Sequence, residues 1–116
     1  MKQSHLDKSP IVYYINRKKN AEWVLFIHAA FVNHLMFQTQ IDYFQDKYNI
    51  LTLDIIGHGK STKTQKGDQI DKMATWVKEI LKKEEIEKIH IVGISLGAVL
   101  AQDFANQYPE TVQSLA

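Results

Sequence analysis

The sequence predicts an α/β fold: a mostly parallel sheet with helices on both faces. Two observations carry this. Short apolar runs alternate in regular order with longer segments of helical spacing, which is the pattern of right-handed βαβ crossovers. The run at 23–28, Trp-Val-Leu-Phe-Ile-His, is continuous rather than alternating, as in a strand buried on both faces. The chain has no internal repeat, low-complexity tract or linker longer than a loop, and its 116 residues suit one domain.

Residues 11–16, rich in β-branched and aromatic side chains, read as the first strand, and Arg17, Lys18, Lys19 and Asn20 as a solvated turn after it. Residues 23–28 are the next strand. Asn33 is a helix cap, and Phe37, Ile41, Phe44 and Tyr48 follow at steps of four, three and four on one apolar face. Residues 49–56 form another buried strand, ended by the turn residues Gly57, His58 and Gly59. A polar loop runs to Gly67. Asp68 then reads as an N-cap with Asp71 three residues on, opening a helix whose apolar stripe is Ile70, Met73, Ala74, Val77, Ile80 and Leu81. Lys82, Lys83, Glu84 and Glu85 read as its solvated end. Residues 88–94 are a strand that turns directly into a helix carrying Val99, Leu100 and Phe104 with the small Ala98, Ala101 and Ala105, and stopping before Pro109.

Composition narrows the function classes. With 45% hydrophobic and 23% charged residues the chain can build a core, which excludes a disordered reading. Its net charge of +1 and its single arginine, Arg17, disfavour a nucleic-acid binder. The lack of cysteine removes disulfides, Fe–S clusters and thiolate zinc, and fits a reducing compartment. Residues 1–10 hold no apolar signal-peptide core, and no stretch approaches the ~20 residues of a membrane span, so the expected setting is cytoplasmic. Residues 111–116 begin to alternate like a strand and then stop without a turn or polar tail, so the chain reads as cut there.

The chemistry centres on Gly93-Ile94-Ser95-Leu96-Gly97, a G-x-S-x-G at a strand-to-helix turn. A serine there is forced outward at the carboxyl edge of the sheet, and glycines two residues on either side relieve crowding. The plain alternative is a capping serine at a helix N-terminus. Two more strand ends accompany it: Phe26-Ile27-His28-Ala29-Ala30-Phe31, and Asp54-Ile55-Ile56-Gly57-His58-Gly59-Lys60-Ser61, a D-x-x-G-x-G-x-S.

With these three segments in this order, the chain resembles the α/β-hydrolase family over roughly residues 24–108. The family has an H-G-x segment, then D-x-x-G-x-G-x-S, then the nucleophile elbow. The resemblance implies Ser95 as nucleophile, with the backbone N–H groups of Leu96 and Ala30 as oxyanion-hole donors. It gives structural roles to His28, Asp54, Gly57, Gly59, Gly93 and Gly97, and places Phe31 and Val32, with Ala30 and Leu96, along the acyl pocket. Ala29 stands where the family carries glycine. Alanine resists positive φ, so that loop either keeps an ordinary conformation or shifts.

In the family the acid and the histidine follow the serine. After Ser95 this sequence holds Asp103 and Glu110 but no histidine. Residues 1–116 therefore read as the N-terminal part of a single α/β-hydrolase domain, with the part carrying acid and histidine absent. The complete form is expected to cleave a carboxylic ester or related acyl bond of a small molecule through an acyl-serine. The truncated chain is expected to be inactive and prone to aggregation through its uncovered edge. The rival from another class is a non-catalytic module of the same fold that binds a small apolar ligand or a protein partner.

Of the other histidines, His58 sits in the turn, His90 alternates inside a strand, and His5 and His34 have no motif around them. No H-x-x-x-H or thiolate set is present, so neither metal nor cofactor is expected. Gly59-Lys60-Ser61 mimics the tail of a P-loop, but Asp54 occupies the required first glycine and no apolar helical stripe follows, which argues against nucleotide binding.

Overall fold

The structure is a computed structural model describing residues 1–18, 20–65 and 69–116. Among the described residues six strands form one sheet: β1 (Lys2–His5), β2 (Val12–Asn16), β3 (Trp23–Ile27), β4 (Asn49–Leu53), β5 (Ile89–Gly93) and β6 (Val112–Leu115). Their spatial order is β1-β2-β4-β3-β5-β6. The pairs β4/β3, β3/β5 and β5/β6 are parallel, whereas β1/β2 and β2/β4 are antiparallel. The mostly parallel sheet is as the sequence predicts.

Helices lie on both faces. On one, α1 (Gln38–Phe44) follows a 3-10 turn, His34–Phe37, whose cap Asn33 accepts the Leu35 N–H at 2.9 Å. Phe37 and Ile41 bury there against Val24, Phe26 and Ile50, with Phe44 and Tyr48 partly buried beside them. Tyr48 completes this face from beyond the end of α1. On the other face α2 (Met73–Lys83) and α3 (Leu96–Gln107) cover Leu25, Ile27, Leu51, Leu53, Ile89 and Ile91. Successive residues of β3 thus enter opposite cores, which is why its sequence is apolar without a break. Each large side chain so buried contributes about 1.5–3 kcal/mol.

Several expectations need correction. β1 has no apolar signature and was not expected; its polar residues stay mostly exposed, and backbone pairing to β2 holds it. The strand expected over 49–56 ends at Leu53, which places Asp54 in the following loop. Ile70 is exposed because it lies in a 3-10 turn, Ile70–Lys72, whose tighter period turns it off the α2 stripe; Trp76 is buried instead. Val99 is 61% exposed, since α3 buries Gly97, Leu100, Ala101 and Phe104. Glu84 is no solvated end: it accepts from the Tyr13 hydroxyl at 2.6 Å and pairs with Arg17 at 3.1 Å. Burial, and then this carboxylate, push the Tyr13 hydroxyl up to about 12. The expected cap Asp68, and Lys19 of the expected turn, lie outside the described residues.

Candidate active site

The carboxyl ends of β3, β4 and β5 bring the three sequence segments to one edge of the sheet. At the end of β5 the chain reverses through Ile94 and Ser95 into α3. Ser95 has φ 56° and ψ −117°, a conformation rarely tolerated by a residue with a Cβ. The glycines around it make the reversal feasible. A Cβ on Gly97 would strike the Ile27 and His28 carbonyls of the neighbouring β3, and one on Gly93 would lie 2.5 Å from the Gly97 carbonyl oxygen. α3 therefore starts in direct backbone contact with β3, and Ile94 N–H donates to Ile27 O at 3.4 Å.

Ser95 holds the N-cap position of α3, yet its side chain makes no capping bond, and the residue is exposed. The capping-serine alternative is thereby set aside. Among the described residues no hydrogen bond engages the Ser95 hydroxyl, and neither the Leu96 nor the Ala30 N–H meets a protein acceptor. Such free N–H groups at a helix start and in a neighbouring loop suit developing negative charge.

The loop after β3 is fixed from below. His28 is fully buried, and its Nε2 accepts the Ile55 N–H at 3.0 Å. Its Nδ1 must then carry the proton, which it donates to Ala29 O at 2.7 Å. Burial holds the imidazole below its ordinary value and so keeps it neutral. Ala29 keeps an ordinary backbone, its N–H donating to Met36 Sδ at 3.4 Å; the left-handed residue is Phe31, at φ 66°. The Phe31 side chain is 96% exposed, and Val32 is exposed beside it. His58 is half-buried, its ring 5.4 Å from that of His28 and 6.5 Å from that of Phe31.

Asp54 is the hub of the second loop. Its fully buried carboxylate accepts from the His34 N–H at 2.9 Å, His34 Nδ1 at 2.8 Å, the Lys60 N–H at 3.0 Å and the Tyr14 hydroxyl at 2.8 Å. Burial alone would raise this carboxyl, but the donors, backbone ones foremost, hold it below the ordinary carboxylate range. Gly57 and Gly59 both take positive φ in the turn that follows. Ser61, which ends the motif, is fully buried and accepts the Val12 N–H of β2 at 2.8 Å. Lys60 and Ser61 thus serve the turn.

Sequence reasoning missed His34 and Tyr14. The two rings stack with centroids 3.6 Å apart, and both bond Asp54. Nothing local signals this, because the pairing of β2 with β4 is what brings Tyr14 to the loop. Asp103 and Glu110 lie on α3 and in the 3-10 turn Pro109–Thr111, away from the elbow in sequence, and Asp103 is engaged by Gln107. Among the described residues no group of three His, Asp or Glu side chains converges as a metal site, and no helix is long and apolar enough to cross a membrane.

A family model described as alpha/beta hydrolase fold matches residues 22–116. The chain is 33% identical, over 90% of its length, to the dihydrolipoyllysine-residue acetyltransferase component of the acetoin cleaving system of Cupriavidus necator, covering 28% of that protein. It is 36% identical, over 75% of its length, to 3-oxoadipate enol-lactonase 2 of Acinetobacter baylyi, covering 33% of it. Among solved structures, naproxen esterase (carboxylesterase NP) of Bacillus subtilis superposes with a TM-score of 0.80 at 26% identity, over 90% of this chain and 37% of the esterase. The chain thus spans about a third of the length of these relatives.

Proposed function

The chain belongs to the α/β-hydrolase family, and on that premise we propose that it is the nucleophile-bearing N-terminal part of a serine hydrolase domain that cleaves a carboxylic ester or related acyl bond. The observation that carries the reading is the conformation of Ser95: exposed, at φ 56°, uncapped, at the start of α3. A strained residue that buries nothing and caps nothing is explained by the reach it gives its hydroxyl. The lactonase and the esterase among the relatives support an acyl substrate.

In this reading Ser95 Oγ attacks the acyl carbonyl and the negative oxygen is received by the N–H groups of Leu96 and Ala30, each worth about 3–4 kcal/mol in the transition state. Phe31 and Val32 line the acyl side with an apolar surface. In this reading the general base and its acid come from the part of the relatives' length that the chain does not span. Residues 1–116 alone are accordingly inactive through Ser95. The second reading, a non-catalytic binding module, is favoured by Ala29, which stands where the family carries the glycine of its oxyanion loop.

Fluorophosphonate labelling of the natural, full-length protein separates the two. Labelling that disappears in Ser95→Ala establishes an activated nucleophile. A well-folded wild type that takes no label sinks the enzyme reading and leaves the binding module.

A further inference from the structure

The elbow serine has no histidine partner among the described residues, but another serine has one. His90 lies on β5 directly opposite Ser114 of β6, and Val24 of β3 is its partner on the other side. His90 Nδ1 is 2.7 Å from Ser114 Oγ, and His90 Nε2 is 2.6 Å from the Glu22 carboxylate. Glu22, two residues before Val24 and just ahead of β3, reaches the ring from the side away from Ser114, so the adjacent β3, β5 and β6 bring serine, imidazole and carboxylate together. With the imidazole proton on Nε2, donated to Glu22, the Nδ1 lone pair faces the Ser114 hydroxyl proton. That is the arrangement of a base-activated nucleophile whose base is oriented by an acid.

Of the three, His90 lines a cavity of about 170 Å³, together with Val24, Phe26, Phe44, Tyr48 and Val92. Apart from the imidazole and the phenol of Tyr48 its walls are hydrocarbon, and Ser114 itself is exposed at the sheet edge. The cavity suits a short uncharged acyl chain and is too small for a long one. His90 lies near the amino end of β5, whereas Ser95 lies beyond its carboxyl end, five residues along, on the order of 15 Å away.

We propose that Ser114, His90 and Glu22 form a second acyl-transfer site, independent of Ser95, that accepts esters of short uncharged carboxylic acids. Ser114 Oγ attacks the ester carbonyl as His90 Nδ1 takes its proton, and Glu22 stabilises the resulting imidazolium. The C–O bond to the leaving alcohol then breaks, and His90 returns the proton to that alcohol. Water, deprotonated by the same nitrogen, attacks the acyl-Ser114, releases the carboxylic acid and restores the hydroxyl.

The test uses the natural, full-length protein carrying Ser95→Ala, with p-nitrophenyl acetate as probe and peptide mass mapping of the trapped acetyl group. The expected result is an acetyl adduct on Ser114 that is absent from Ser95→Ala/Ser114→Ala and forms about 100-fold more slowly in Ser95→Ala/His90→Gln. Ser114 is exposed and its hydroxyl bonds only His90 among the described residues, and circular dichroism checks the fold of both variants. No adduct on Ser114, or an adduct whose rate ignores His90→Gln, overturns the proposal. Because Ser95 is removed throughout, neither outcome bears on the Ser95 reading.

Discussion

Asp54 accepts two hydrogen bonds from His34, one from its backbone N–H at 2.9 Å and one from ring Nδ1 at 2.8 Å. One buried carboxylate thereby sets both where the loop after β3 runs and how the His34 ring is turned. The same carboxylate receives Lys60 N–H and the Tyr14 hydroxyl, so it joins β2, the loop after β3 and the loop after β4.

Replacing that carboxylate is expected to be costly. Asp54→Asn keeps the shape but removes the charge and turns an amide N–H₂ toward groups that are all donors. A loss of about 2–3 kcal/mol in urea unfolding is expected, against less than about 0.5 kcal/mol for the exposed Asp42→Asn. Equal losses for the two would remove Asp54 from its place as hub.

Acid should lower the chain's stability in two separate pH windows. The folded-state value of His28 lies below its ordinary 6.5, so both states are neutral above 6.5 and the unfolded chain gains protons first as pH falls from there. Asp54 is likewise lowered in the folded state, so its stabilisation is whole above the ordinary 3.8 and is lost as pH falls through the folded value. Stability measured by urea titration should decline below pH 6.5 and again below 3.8. His28→Asn should remove the upper decline and leave the lower.

Ser95→Gly should raise stability by about 1 kcal/mol, because glycine takes φ 56° without strain, while abolishing fluorophosphonate labelling of the full-length protein. A destabilised glycine variant would mean that the Ser95 side chain makes a stabilising contact after all.

Met36→Leu removes the sulfur that accepts the Ala29 N–H and leaves the hydrocarbon bulk in place. On the proposed role of the Ala30 N–H as second oxyanion donor, labelling of Ser95 in the full-length protein should slow about tenfold, a fraction of what one donor is worth, with the unfolding midpoint barely moved. An unchanged labelling rate would free the Ala29–Ala30 loop from dependence on Met36.

What the sequence disclosed was whatever is written in contiguous residues. The unbroken apolar run of β3, the stripe Met73, Ala74, Val77, Ile80 and Leu81, and the glycines of the elbow each encode a local solution to burial or crowding, and each appears in the fold as read. Where meaning depended on a partner far along the chain, the reading failed. Lys2–His5 become a strand only because β2 offers a free edge, and His34 acquires its place only when Asp54 arrives from another loop. Glu84 looked solvated because Tyr13, its hydrogen-bond donor, is 71 residues away. The serine-histidine-acid row at Ser114 was equally illegible, since β6 must lie beside β5 before the pair exists.

Strand β3 sits at the centre of the sheet between β4 and β5, both of which follow it in the chain. A polypeptide emerging from its amino end must therefore hold the wholly apolar β3 without either neighbour until β4, and then β5, has been made. Its partners arrive across long sequence separations, which slows assembly and prolongs the interval in which Trp23–Ile27 stands open to wrong pairing. Early attachment of a chaperone to this segment would protect the nascent chain over that interval.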